Sequence, residues 1–201
     1  MKTSLNLSRE KALSLVESLV ENKGLRNHML AMEIQMRALW EYFEKERPAE
    51  VGETQDAWGL AGLLHDADWE KTESTPDQHT LFLTKKLEEL GVPDAFADSI
   101  RSHNFAHVDN QRKPSSLMEW SLYASDHMSG IIVACALVSP DKKLANVTPE
   151  RVAKKFKEKS FAKGATRDEI IEGIKELGIS LETLVSICLL ALQKNAATIG
   201  L

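Results

Sequence analysis

Residues 25–46 read LRNHMLAMEIQMRALWEYFEKE. His28, Met32, Gln35, Met36 and Leu39 recur at intervals of three and four, the spacing of one helical face. Pro48 stops the pattern, because a proline ring cannot continue a helix. The same period runs outward in both directions. Upstream, Ser8 is placed to cap a helix carrying Leu13, Val16, Leu19 and Val20, with Gly24 as its end. Downstream, a third helix is expected over 54–65. Thr75-Pro-Asp-Gln78 reads as a capping box opening a helix that ends at Gly91, and a short helix follows Pro93. Ser116-x-x-Glu119 opens a long helix to about Val138, stopped by Pro140. Thr148-Pro149 and Thr166-x-x-Glu169 begin two more, and Ser180 caps the last, over 181–195. No stretch alternates as a strand would, so the fold expected is all-α.

Composition narrows the class. The chain has 201 residues, 43% of them hydrophobic and 27% charged, which suits a single globular domain spanning 1–201. A formal charge of −5 and a pI near 5.7 argue against a nucleic-acid partner. The longest apolar run, Ile131–Val138, is far short of the roughly 20 residues a membrane span needs. The N-terminal stretch MKTSLNLSREKALSLVESLV is broken by Glu17 and Ser18 and does not read as a signal peptide. Cys135 and Cys188 lie in apolar runs and read as reduced core residues, so a cytoplasmic location is expected.

Four places carry polar residues where a helix should be apolar. They are His28, the pair His65-Asp66 ending the run WGLAGLLHD, His103 in SIRSHN, and Asp126 in LYASDHMSGII. Taken singly, each has an ordinary structural use. A histidine can be a hydrogen-bonded core residue, His65-Asp66 can close a helix, and Asp126 can pair helices or face water. Ser129 and Gly130 beside Asp126 would let another helix approach closely. Taken jointly, one His, then His-Asp, then Asp, each on a separate apolar helix, is the donor set of an octahedral divalent-metal site. Imidazole and carboxylate suit Mn, Fe, Co, Ni, Zn or Mg.

The order His28…His65-Asp66…Asp126, with the local texts NHMLAMEIQMRAL, GLAGLLHDADWEK, IRSHN and LYASDHMSGII, resembles the HD superfamily of metal-dependent phosphohydrolases. The resemblance covers about 20–140; the tail, about 141–201, is similar to that of small bacterial HD proteins. It implies an all-α bundle with additional C-terminal helices. It also implies metal ligation by His28, His65, Asp66 and Asp126. His79 and His103 fall where two-metal members place further ligands, with Asp66 as the bridge. Asn104 stands where some of those members carry another histidine, and Trp69 where many carry a lysine. Lys71 and Arg101 read first as exposed surface charges, with phosphate binding the alternative, and Asp68 and Glu70 are candidates for proton transfer or ligand support. His127 points about 100° around its helix from Asp126, towards the rim of the pocket, and His107 reads as a solvated loop residue.

The activity implied is hydrolysis of a small phosphorylated metabolite, a nucleotide first among them, by a metal-activated water held at His65-Asp66. The alternatives are an HD-fold nucleotide-binding or sensor module without turnover, and a di-iron oxygenase. The C-terminal helices are candidates for completing the core, covering the site, or pairing subunits into a homo-oligomer.

Overall fold

The computed structural model describes residues 5–108 and 112–201; Met1–Ser4 of the N-terminal stretch lie outside the described residues. Among these residues there is no strand, and ten α-helices follow one another: α1 (Arg9–Leu19), α2 (Lys23–Glu46), α3 (Gln55–Leu64), α4 (Trp69–Thr72), α5 (Leu81–Glu89), α6 (Asp94–Arg101), α7 (Leu117–Leu137), α8 (Pro149–Phe156), α9 (Arg167–Leu177) and α10 (Leu181–Lys194). The fold is all-α. No described helix is long and apolar enough to cross a membrane.

Most helix starts are chemical. Ser8 accepts from the Lys11 amide, Thr54 from Ala57, Thr148 from Arg151 and Ser180 from Thr183. Ser116 and Glu119 make the full reciprocal capping box at α7. Three expectations give way. Gly24 lies inside α2 rather than ending α1, because Asn22 caps α2 by accepting from the Leu25 amide. Thr75 makes no side-chain cap; Pro76–Gln78 form one 3-10 turn, and α5 begins only after Thr80, at φ 70°. Thr166 makes no side-chain cap either.

α2 and α7 form the centre. α2 packs on α3, α7 and α10, and α7 packs on α9, α8 and α10 as well. The α2 stripe Met29, Met32, Met36, Leu39 and Phe43 is fully buried, as are Trp58, Leu63 and Leu64 of α3 and Leu122, Met128, Ile131 and Cys135 of α7. The segment after Pro140 therefore completes the core, with Leu184, Val185, Cys188, Leu189 and Leu192 of α10 buried in it.

Two glycines set the closest approaches. A Cβ on Gly62 would stand 2.6 Å from the Met32 carbonyl oxygen, and one on Gly173 would stand 2.5 Å from Ala124 Cβ. α3 thus lies directly on α2, and α9 on α7. Gly130, expected to admit a helix, is exposed and has nothing within 4 Å of its Cβ position.

Candidate metal centre

His28 projects from α2, His65 closes α3, Asp66 and Asp68 follow it, and Asp126 sits midway along α7. His79 occupies the extended link before α5, and His103 the 3-10 turn after α6. The packing of α2, α3 and α7 brings the first four together. One donor atom from each of His28, His65, Asp66 and Asp126 lies within 4.8 Å of the others, and the same holds for Asp66, His79 and His103. His79 is buried, at 3% exposed.

The orientation of the imidazoles is set from behind. His65 Nδ1 donates to the Gly62 carbonyl at 2.9 Å and His103 Nδ1 to the Ile100 carbonyl at 2.6 Å. A carbonyl only accepts, so both protons must be on Nδ1. His79 Nδ1 donates to Asp68 Oδ1 at 2.8 Å. In the neutral form, each of these rings turns an Nε2 lone pair inward. Those nitrogens face one another: His28 Nε2 is 3.2 Å from His65 Nε2, and His79 Nε2 is 3.3 Å from His103 Nε2. Two bare lone pairs at that distance repel, so each pair holds either a proton donated from one Nε2 to the other or a cation shared by both. A divalent cation fits this donor set, and the carboxylates beside it match the charge.

Asp66 divides its two oxygens. Oδ2 lies 3.4 Å from His65 Nε2 and 3.7 Å from His28 Nε2, while Oδ1 lies 3.3 Å from His79 Nε2 and 3.7 Å from His103 Nε2. Asp126 Oδ1 serves the first pair only, at 3.0 Å from His28 Nε2 and 3.6 Å from His65 Nε2.

Electrostatics follow from burial and proximity. Burial pulls the His65 imidazolium down, but Asp66 and Asp126 override it and hold its pKa well above the ordinary value. His79 likewise rises to about 9, burial being outweighed by its hydrogen bonds to Asp66 and Asp68. His103 falls, through burial and the nearby His65 and His79. Burial raises the carboxyls of Asp66 and Asp126, yet the adjoining histidines bring both well below the carboxylate range.

Asp68 supports the centre from outside. Fully buried, it accepts from His79 Nδ1, from the Thr80 amide at 3.2 Å and from the Leu83 amide at 2.8 Å. These bonds replace the cap expected from Thr75. Glu70 is not at the centre: its carboxylate accepts from the Glu21 and Asn22 amides at 2.8 and 2.7 Å, clipping the α1–α2 junction. Those free amides just ahead of α2 outcompete any role in proton transfer.

A cavity of about 410 Å³ opens beside the centre, lined by Asp66, Trp69, Pro76, His79, His103, Asn104, His107, Asp126, His127, Gly164, Thr166 and Glu169. Neither Lys71 nor Arg101 lines it; Lys71 is exposed, and Arg101 pairs with Asp98 at 3.1 Å. His127 does face the rim. His107 is not merely solvated: its Nε2 lies 3.2 Å from Glu169 Oε1, while His127 Nε2 lies 3.1 Å from Glu169 Oε2. Glu169 is the site residue that sequence reasoning missed, since its position three after Thr166 marked it as a capping residue. Arg167 fixes the wall beside it by donating to the carbonyls of Phe156, Glu158, Phe161, Ala162 and Ala165.

No protein-family model matches this chain, and neither a curated protein nor a solved structure matches it.

Proposed function

We propose that this chain is a metal-dependent phosphohydrolase of the HD superfamily, acting on a small phosphorylated metabolite and foremost on a nucleotide. The observation that carries this reading is the split of Asp66, one oxygen towards His28 and His65 and the other towards His79 and His103. That is the arrangement of a carboxylate shared by two cations, with Asp126 completing the first set. His28, His65, Asp66 and Asp126 would hold a divalent cation, which when bound would supply a water of lowered pKa and polarisation of a phosphoryl oxygen. The protein's part is to hold the donors and shape the space. Gly62 and Ile100 carbonyls and the Asp68 carboxylate lock the rings, so little reorganisation is needed when ligand arrives. The cavity is of the size that takes a small metabolite. Trp69, edge-on to His79 at a centroid distance of 5.1 Å and 39% exposed, offers an aromatic wall to a nucleobase.

Elemental analysis of the purified chain, followed by a metal-supplemented phosphatase and nucleotidase screen, tests the reading. His65→Ala and Asp66→Ala should lose both metal and activity. Hydrolysis at the parent rate by metal-free His65→Ala sinks it. The grouping of Asp66, His79 and His103 also suits a di-iron oxygenase, although Asn104 stands where some such proteins carry a further histidine. Oxygen uptake by the iron-loaded chain, without phosphatase activity, would favour that chemistry.

A further inference from the structure

Among the described residues, no lysine or arginine lines the cavity beside Asp66 and Asp126. Its lining carries His107, from the loop after α6, His127, from α7, and Glu169, from α9. One donor atom from each lies within 4.8 Å of the others. The two oxygens of Glu169 each face a different imidazole Nε2, at 3.2 and 3.1 Å. Ligands bound at about 2.0–2.1 Å from one cation stand about 2.8–3.4 Å apart along an octahedral or tetrahedral edge, so this spacing, which also suits hydrogen bonds, is compatible with a common first shell. Glu169 is 7% exposed, whereas His107 stands at the mouth, 53% exposed. Glu169 occupies the third position of α9, and its carboxylate reaches His127 Nε2 at 3.1 Å.

We propose that His107, His127 and Glu169 form a third divalent-cation site at the mouth of the cavity, in the same lining as the carboxylates of Asp66 and Asp126. Nitrogen and oxygen donors of this kind take Zn, Co, Ni or Mn. The cation would face an anionic group of a ligand bound in the cavity that it shares with Asp66. That last point rests on the phosphohydrolase reading; the site itself does not.

The test is cobalt(II) binding to the full chain by equilibrium dialysis with elemental analysis, on the parent and on His107→Ala, Glu169→Gln and Asp66→Ala. His107→Ala removes an exposed loop side chain, so folding is not at stake. Glu169→Gln keeps the shape and loses the charge, with helicity checked by circular dichroism. Both should bind one cobalt fewer than the parent, or bind it at least tenfold more weakly. Asp66→Ala should keep the cobalt that His107→Ala loses. Unchanged stoichiometry and affinity in His107→Ala overturns the proposal and leaves only a hydrogen-bonded His–Glu–His network, whatever Glu169→Gln does. Loss of the mouth cobalt with no change in Asp66→Ala would instead refute the deep centre alone.

Discussion

Replacing Asp68 tests whether the centre is held from behind, as the geometry requires. Its buried carboxylate accepts from His79 Nδ1 and from the amides of Thr80 and Leu83. Asp68→Ala strands two backbone amides and one imidazole N–H without a partner. A buried unsatisfied donor costs about 1–3 kcal/mol, and bonds to a charged acceptor sit in the upper part of that range. Allowing for partial collapse, the expected loss is about 3–5 kcal/mol, a large share of the roughly 5–15 kcal/mol that holds a domain together. Asp68→Asn keeps the shape and one acceptor but points an NH2 group at a donor, so about half that loss is expected. The assay is urea unfolding of the chelator-treated chain by circular dichroism. With a slope of about 2 kcal/mol per molar, the Asp68→Ala midpoint should fall by roughly 1.5–2.5 M. A fall under about 0.5 M would mean that these bonds do not organise the segment, and that His79 is oriented by something else.

Three further outcomes are expected. The Glu119 carboxyl is raised by burial but lowered further by Arg112 and the Ser115 amide, so its folded pKa lies below the ordinary 4.5. Its stabilisation is therefore present above pH 4.5 and lost as pH falls through the lower folded value; Glu119→Gln should flatten the acid limb of a stability–pH curve. Trp69→Ala should raise KM for a nucleotide about threefold to tenfold while leaving KM for a non-aromatic phosphoester nearly unchanged; equal changes would remove the indole from base recognition. Gly173→Ala drives a Cβ to 2.5 Å from Ala124 Cβ and should cost about 1–3 kcal/mol by thermal unfolding, whereas the same change at exposed Gly130 should not destabilise.

What the sequence made legible were the features decided locally. Apolar residues at helical spacing marked α2, α3 and α7, and Ser8, Ser116 and Ser180 marked starts because a side-chain oxygen three residues ahead of an amide suffices. His28, His65, Asp66 and Asp126 stood out because each interrupts an apolar face, and the structure brings them together. Gly24 was misread for a local reason, the Asn22 cap of α2, but two other misses share one cause. Thr75 and Thr166 resembled caps, but the partners of the nearby polar groups came from elsewhere in the chain: Asp68 took the Thr80 and Leu83 amides, and Glu169 went to His107 and His127. Glu70 beside the His-Asp pair looked chemical and is a clip for the α1–α2 junction. A local pattern does not carry such distant competition.

The packing of α10 on α2 bears on how the chain acquires its fold during synthesis. The two helices are separated by the whole of α3 to α9, a loop whose closure is slow and entropically costly. His28, His65, Asp66 and Asp126 have all been made once α7 is complete, yet the flank of α2 that α10 covers is still bare. A nascent chain halted there owns every donor of the deep centre and lacks part of the wall that keeps α2 in place. Cation binding at that stage would act as an early pin between α2, α3 and α7, holding together a half-built core until its final helix emerges.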